Sequence, residues 1–166
     1  MSKARRIWRH LNTGTRAVHR AFPADTLDAI EQSVKAAERA RHGEICFAVE
    51  DSLPFRALVG DVTPRARAIE VFSQLRVWDT AHNNGVLIHV LLADRDVEIV
   101  ADRGAGGGHV PQAEWEACCR TMELHFGKGD FREGALAGIA AVAEVLTRYP
   151  GPANSANELP DRPSIL

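Results

Sequence analysis

Hydrophobic positions in the first half of the chain follow two periods, one typical of helices and one typical of buried strands. Leu27, Ile30, Val34 and Ala37 recur at helical spacing and predict a first helix from about Asp25 to Arg41, before Gly43. The next run, 44-EICFAVE-50, is apolar at both odd and even positions. A strand covered on both faces has this pattern, so the run predicts a central strand.

Three further helices are predicted from caps and apolar stripes. Thr63 and Pro64 fit the N-cap and first position of a second helix that runs to about Val77. Pro111 opens a third helix, and Asp130 caps a fourth. The stripe of the third helix comprises Trp115, Cys118, Cys119, Met122 and Phe126, and that of the fourth comprises Leu136, Ile139, Ala140, Ala143 and Leu146.

Two apolar runs separated by 94-DRD-96 predict a β-hairpin from strands 85–92 and 97–101. The predicted order is helix, strand, helix, hairpin, helix, helix. It indicates an α/β fold, a three-layer α/β/α sandwich with a small mixed sheet. The first two strands should be parallel with a right-handed crossover, because a helix joins them, and the third should run against the second.

The composition divides the 166 residues into three regions. Residues 1–21 are a basic N-terminal arm or short helix, 22–149 an α/β domain, and 150–166 a proline-rich tail predicted to be disordered. No secretory signal is recognisable, and the apolar runs fall short of the ~20 residues of a membrane span. We therefore expect a cytoplasmic protein, with a position at the periphery of the inner membrane as an alternative. The three cysteines form no C-x-x-C pair, so we expect them to be reduced.

The arm carries six basic residues and no acidic residue, whereas the whole chain has a net charge of −2 and the remainder therefore −8. Ile7, Trp8 and Leu11 lie among these basic residues. One interpretation is contact with an anionic membrane. The favoured alternative is a short amphipathic helix that packs Trp8 on its own domain. Nucleic-acid binding is disfavoured, because Trp8 is the only aromatic residue near the arginines.

The predicted hairpin brings polar residues that are distant in sequence to one end of the sheet. If the third strand is antiparallel to the second, Asp102 and Arg103 lie beside Asn83 and Asn84, near Asp79. Carboxylate and amide oxygens are ligands that calcium prefers. Asp79, Asn83, Asn84 and Asp102 are therefore a candidate site for calcium or another divalent cation. The alternative is a simple turn, with Asp79 capping a helix end or pairing with Arg103.

The glycine-rich loop 104–108 leads into the third helix, whose N-terminal N–H groups favour an anion. Arg103, Gly106, Gly107 and Gly108 are thus candidates for phosphate binding, against the alternative of a flexible loop that lacks any P-loop lysine. At the opposite end of the sheet, a second cluster collects Glu50, Asp51, Asp94 and Asp96. For 94-DRD-96 we favour a solvated turn over a magnesium site.

Complete catalytic motifs are not recognisable in the sequence. No pair of histidines has H-x-x-x-H spacing, and His89, inside a strand, is best interpreted as a core histidine with satisfied hydrogen bonds. Ser52, Ser73 and the cysteines lack a nucleophile-elbow context. Catalytic residues are therefore not assigned.

The chain resembles the TPM domain family, which is named after a thylakoid lumen protein, a photosystem II repair protein and a nematode receptor modulator. The resemblance extends from about Phe22 to Tyr149. It rests on 77-VWD-79, on 83-NNGVLIHVLLADRDVEIVADRG-104 and on 126-FGKGDFREGALAGIAAVAEVL-146. The absence of a recognisable signal or anchor makes the chain similar to a bacterial branch of unknown function.

The resemblance implies an α/β/α sandwich, calcium held by acidic and amide side chains near one end of the sheet, and acid phosphatase activity in some plant members. It places Asn83, Asn84 and Gly85 on the family signature, with Asp79 and Asp102 as metal-side neighbours. We therefore expect a calcium-binding accessory or interaction module with an unidentified protein partner, and a partner associated with a membrane is one alternative. The alternative is a metal-assisted phosphomonoesterase in which Arg103 holds the ester.

Overall fold

The computed structural model describes residues 3–39, 42–154 and 156–166. Within these ranges seven α-helices surround a four-stranded sheet. The helices are α1 Lys3–Asn12, α2 Thr15–Ala21, α3 Ala24–Glu38, α4 Phe55–Val59, α5 Pro64–Gln74, α6 Gln112–Phe126 and α7 Phe131–Arg148. The strands are β1 Glu44–Glu50, β2 Gly85–Leu91, β3 Asp96–Ala101 and β4 Ser164–Ile165.

The sheet has the order β3-β2-β1-β4 and is mixed. β1 is parallel to β2, with Glu44 opposite Gly85 and Glu50 opposite Leu91. β2 is antiparallel to β3. The predicted parallel pair and the predicted hairpin are both confirmed.

Alternate residues of each strand pack on opposite faces of the sheet, because successive side chains of a strand point to opposite sides. Ile45, Phe47 and Val49 belong to the larger core, which they share with buried residues of α3, α6 and α7. Cys46 and Ala48 instead pack with α5. Both faces of β1 are therefore covered, and the α/β/α sandwich is confirmed.

α6 and α7 approach closely through a glycine. A Cβ atom on Gly138 would lie 2.2 Å from Cγ of Met122. A side chain there would displace Met122, so Gly138 makes room for Met122 where α6 packs on α7.

The segment between β1 and β2 differs from the prediction in two places. A short helix, α4, lies within the segment predicted as a loop, and α5 ends at Gln74 rather than near Val77. The cap at the start of α5 is as predicted, since Thr63 Oγ1 accepts a hydrogen bond from the N–H of Ala66 at 3.1 Å. Residues 40 and 41, at the predicted end of the first long helix, lie outside the described residues.

The C-terminal segment is packed and hydrogen-bonded, contrary to the disorder expected from its composition. Asn154 and Leu159 are buried, and β4 pairs in parallel with β1, with Ser164 opposite Ala48. The physical reason is that the edge of β1 has backbone groups that need partners. An extended, proline-rich segment supplies these partners without any apolar periodicity of its own. Residue 155 lies outside the described residues.

The N-terminal region divides between the core and the surface. Val18 of α2 and the adjacent Phe22 are fully buried in the larger core. α2 is therefore part of the globular domain, although residues 1–21 were predicted as a separate arm. In the part of the chain that the structure describes, no helix has the length and apolar character needed to cross a membrane.

Candidate functional site

The two loops predicted to meet at one end of the sheet do so. The N–H of Asp102 donates to the carbonyl of Gly85 at 2.9 Å, and the N–H of Gly104 donates to the carbonyl of Asn83 at 2.7 Å. Asn83 has a left-handed backbone, with φ of 51°. Asparagine tolerates this conformation better than most residues. The backbone thus brings the family signature and the end of β3 together.

Asp79 faces solvent at this end of the sheet. Its carboxylate accepts a hydrogen bond from Arg76 at 2.7 Å, and both side chains are more than half exposed. Asp79 therefore pairs with its neighbour in the chain rather than with Arg103.

Asn84 points into the protein, where it begins a chain of buried hydrogen bonds. Its amide nitrogen donates to Oδ1 of Asn154 at 2.5 Å, and Nδ2 of Asn154 donates to Oε1 of Glu44 at 2.6 Å. Oε2 of Glu44 accepts from the N–H groups of Glu158 and Leu159. These bonds tie the start of β1 to the C-terminal segment. Sequence reasoning missed Glu44 and Asn154 because they are 110 positions apart.

Two oxygen atoms from the predicted metal set are buried without a hydrogen-bond partner among the described residues, namely Asn84 Oδ1 and Asp102 Oδ2. The other carboxylate oxygen of Asp102 accepts from the N–H of Arg103 at 2.8 Å. Buried oxygens of this kind suit a hard cation. Across the described residues, however, no group of three or more His, Cys, Asp or Glu side chains is placed to hold a metal. Two of the four predicted side chains thus have a buried oxygen without a partner, whereas Asp79 is paired with Arg76, and a cation at this end of the sheet stays a prediction.

The backbone conformation of the glycine-rich loop explains why it consists of glycines. Gly106, Gly107 and Gly108 have φ between 58° and 74°, in the left-handed region that favours glycine. A Cβ atom on Gly106 would lie 2.1 Å from Cγ2 of Val110. Arg103, which precedes the loop, is exposed. Backbone conformation and packing account for the glycines, and phosphate binding by this loop stays a prediction.

The opposite end of the sheet contains a buried anchor for the N-terminal helix. Asp94 was expected in a solvated turn, yet its side chain is only 8% exposed. It pairs with Arg6 at 2.9 Å and also with Arg9, and it lies 3.2 Å from Nε2 of His10. Burial opposes the charged form of Asp94, but the hydrogen bond from Arg6 and the neighbouring positive charges outweigh it and hold its pKa below the ordinary value.

His10 adds a further bond between α1 and the domain. Its Nδ1 accepts a hydrogen bond from the N–H of Leu53 at 3.0 Å. Burial lowers the pKa of His10, against the opposing effect of Asp94. A neutral ring can accept at Nδ1, whereas a protonated ring cannot. α1 is therefore held by its polar side chains.

A second buried ion pair lies at the end of β1. Arg67 of α5 donates to both carboxylate oxygens of Glu50, and Nε2 of His89 lies 3.2 Å from Glu50 Oε2. His89 is thus a core histidine, as predicted, but only its Nε2 has a partner, and its Nδ1 is buried without a hydrogen-bond partner among the described residues.

Two large apolar side chains of α1 point away from the domain. Trp8 and Leu11 are each 67% exposed. The expectation that Trp8 packs on its own domain is therefore wrong, because Ile7 takes the inward apolar position and packs on the cluster of Leu53, Leu58 and Leu91. α4 contributes Leu58 to that cluster and has two exposed apolar side chains of its own, Phe55 and Val59. We call Trp8, Leu11, Phe55 and Val59 the docking surface.

A cleft of about 510 Å³ lies beside Trp8, between α1, α2, the β2–β3 turn and the turn between α6 and α7. Its volume is within the range of about 300–1,000 Å³ that is usual for ligand pockets. Three arginines line it, and no Asp or Glu is among its described lining residues. Its charged and larger apolar residues are Arg9, Arg20, Arg95, Trp8, Leu92 and Phe131.

Comparison with known proteins identifies a family and a similar solved structure. The model of the TPM domain family matches residues 19–145. The NMR structure of the BA42 protein from the psychrophilic bacterium Bizionia argentinensis is similar, with a TM-score of 0.74 and 28% sequence identity over 87% of this chain and 95% of that one. No curated protein matches the chain.

Proposed function

The chain belongs to the TPM domain family, and on that premise we propose that it is a binding module that attaches to an anionic membrane through the docking surface. The family model covers most of the chain but does not fix an activity. The proposal therefore depends on the residues of this chain, and above all on the orientation of α1.

One observation carries the proposal: α1 has two of its arginines turned inward and two large apolar side chains turned outward, while Arg5 is exposed. Arg6 and Arg9 pair with the buried Asp94, whereas Trp8 and Leu11 project into solvent. Single exposed apolar residues are common on protein surfaces and need no explanation. Here two of them share one face of a helix that is fixed by three polar side chains, Arg6, Arg9 and His10. Such a face is suited to insertion at a membrane interface, where tryptophan is favoured.

Charge around the docking surface matches anionic lipid head groups. Arg16 and Arg20 on α2 and Arg56 on α4 are exposed. Each such residue near an anionic membrane surface contributes about 1 kcal/mol of attraction. The remainder of the chain is acidic, with −8 beyond the first 20 residues. This distribution would orient α1 toward the membrane and the rest of the domain away from it.

Vesicle binding tests the proposal. We expect the full-length protein to sediment with vesicles of phosphatidylcholine and 30% phosphatidylserine, and less with phosphatidylcholine alone. The double variant Trp8→Ala/Leu11→Ala should lose at least tenfold in partition, since it removes two inserted side chains of about 1.5–3 kcal/mol each. In a Trp78→Phe background, Trp8 is the exposed indole and Trp115 is buried. A blue shift of its emission would report insertion directly.

A matched control removes two equally exposed apolar side chains elsewhere. Ile69 on α5 and Leu124 on α6 are 48% and 69% exposed. Ile69→Ala/Leu124→Ala should bind vesicles like the wild type. An equal loss of vesicle partition in both double variants would reject the membrane proposal, and so would a wild type that does not bind anionic vesicles. Either result would leave a protein as the partner of this surface.

Calcium binding at the other end of the sheet is a second candidate, supported by the buried oxygens Asn84 Oδ1 and Asp102 Oδ2. These two residues would hold the cation, which would supply the positive charge that the buried oxygens lack. A ligand that binds only the folded state raises its stability, by about 1.4 kcal/mol at tenfold excess over Kd. We expect millimolar calcium to raise the melting temperature. The effect should vanish in Asp102→Asn and persist in Asp79→Asn, and an unchanged melting temperature of the wild type would remove this candidate.

A metal-assisted phosphomonoesterase is the alternative at the same site. It relies on the exposed Arg103, whose backbone N–H is bonded to Asp102. Turnover of p-nitrophenyl phosphate that depends on added metal would support it. Turnover that survives in Asp79→Ala/Asp102→Ala would exclude this site as its origin.

A further inference from the structure

We propose that the cleft beside Trp8 binds an anionic amphiphile, with a phosphate group on Arg20 and Arg95 and the first part of an alkyl chain against Leu92 and Phe131. This inference rests on the proposed docking function and specifies the lipid chemistry that it recognises.

The cleft is positively charged, although the chain as a whole has a net charge of −2. Its described lining has three arginines and no carboxylate. Arg9 is engaged by Asp94 on one side of its guanidinium. Arg95 donates one bond to the carbonyl of Gly127 at 3.2 Å, and Arg20 is exposed. A guanidinium has five N–H donors, so Arg20 and Arg95 retain donors for phosphate oxygens.

The cleft is also apolar, which distinguishes it from a site for a free inorganic anion. Trp8, Leu92 and Phe131 line it together with the small residues Ala17 and Ala21. Phe131 packs on the aromatic cluster of the core, with its ring centroid 5.6 Å from that of Phe22. The apolar wall is therefore fixed to the core. An alkyl chain along it would remove apolar surface from water, which a phosphate ion alone cannot do.

The position of the cleft connects it with the docking surface. Trp8 belongs to both. A lipid whose head group lay in the cleft would therefore be held where Trp8 enters the interface. Nonspecific attraction between charges would not depend on any particular arginine. Binding in the cleft, in contrast, depends on the arginines that line it.

The experiment compares two double variants of equal charge. Arg20→Gln/Arg95→Gln removes two of the three arginines of the cleft and leaves Arg9, which Asp94 engages. Arg120→Gln/Arg148→Gln removes two exposed arginines of α6 and α7 that lie outside its lining. The soluble probe is dihexanoyl phosphatidic acid below its micelle concentration, followed by amide shifts in NMR. Inorganic phosphate and the neutral amphiphile octyl glucoside serve as controls for the head group and the chain.

We expect the probe to shift the amides of Leu92, Arg95 and Phe131 and to bind more tightly than either control compound. The cleft variant should bind it about tenfold more weakly, which corresponds to about 1.4 kcal/mol, and the surface variant should bind it like the wild type. Equal binding by both variants, or shifts with inorganic phosphate as large as with the lipid, would overturn the inference.

The vesicle assay separates this inference from the docking function. Binding to anionic vesicles without any response to the soluble probe would refute the cleft and leave docking intact. If the probe shifts the amide signals of the cleft but the protein does not bind vesicles, membrane docking is refuted and the cleft remains a binding site for a soluble amphiphile.

Discussion

Glu38 illustrates how one buried residue makes stability depend on pH. Oε1 of Glu38 accepts the N–H of Ile45 at 2.7 Å, and the side chain lines a cavity of about 240 Å³ that also contains Glu44 and Asp161. Burial is the main cause that raises its pKa, and a hydrogen bond with Asp161 and the charge of Glu44 add to it. The bond from Ile45 opposes the shift, and the resulting pKa is about 8. Glu38 therefore stays protonated in the native protein at neutral pH.

The first prediction concerns this proton. In the unfolded chain the carboxyl group titrates near 4.5, whereas in the fold it titrates near 8. The native state thus binds more protons in this window, and stability falls as pH rises from about 5 to about 8. Glu38→Gln keeps an acceptor for Ile45 and should flatten the pH dependence, as measured by urea unfolding at pH 5, 6, 7 and 8. The exposed control Glu144→Gln should keep the wild-type slope, and an unchanged slope in Glu38→Gln would contradict the assignment.

At the scale of elements, α1 is held by polar contacts more than by apolar packing. Its inward side presents Arg6, Arg9 and His10 to Asp94 and Leu53, and Ile7 is the partly buried apolar residue. Because a few charge-assisted bonds fix the helix, one substitution in the domain should loosen it.

The second prediction is that Asp94→Ala releases α1. Loss of charge-assisted bonds should cost about 1–3 kcal/mol of unfolding free energy. Hydrogen exchange in α1 and tryptic cleavage after Arg6 and Arg9 should accelerate, while β1 and β2 stay protected. Asp130→Ala, at an exposed position without a side-chain cap bond, is the control. Protection of α1 in Asp94→Ala equal to that in the wild type would show that apolar packing holds the helix.

The third prediction concerns the attachment of the C-terminal segment. Asn154→Ala removes the link between Asn84 and Glu44 and leaves buried polar atoms unpaired, at a cost of about 1–3 kcal/mol. Asn157 bonds to Asp161 at the surface, so Asn157→Ala should change stability by less than about 0.5 kcal/mol. Urea unfolding of both variants checks this, and faster exchange in residues 156–166 should accompany the loss in Asn154→Ala. Similar stabilities of the two variants would disprove the role of the buried link.

On the scale of the whole molecule, the boundary of the globular domain lies between α1 and α2. α1 touches the domain through its polar inward face, whereas α2 places Val18 in the larger core beside Phe22. The matched family region begins at residue 19, within α2. The chain before α2 is therefore an addition to the domain, and α2 is part of it.

The fourth prediction follows from that boundary. Deletion of residues 1–13 should leave a folded domain with dispersed amide signals for β2 and β3. Deletion of residues 1–21 should lose a further 1–3 kcal/mol or so, because Val18 leaves the core. Urea unfolding and two-dimensional NMR compare the two. Equal stability of both deletions would place the boundary after α2.

Local sequence patterns predicted most of the sheet and the long helices that pack on it. The bounds of β1 and the hairpin followed from apolar runs, and the meeting of the loop before β2 with the end of β3 followed from strand direction alone. The metal set was predicted less well. Neighbouring backbones do not determine where side chains point, so Asp79 turns to Arg76 and Asn84 turns to Asn154.

The sequence by itself determined the order of elements, the α/β/α layers and the excess of positive charge at the N-terminus, because periodicity and composition are properties of local sequence. Only the tertiary structure decided which charges pair and which apolar groups remain exposed. Arg6 and Asp94 are 88 positions apart, and Glu44 and Leu159 are 115 apart. Such pairs form only when the sheet brings their elements together and burial makes an unpaired charge costly. That pairing turns Arg6 and Arg9 inward and leaves Trp8 and Leu11 on the surface.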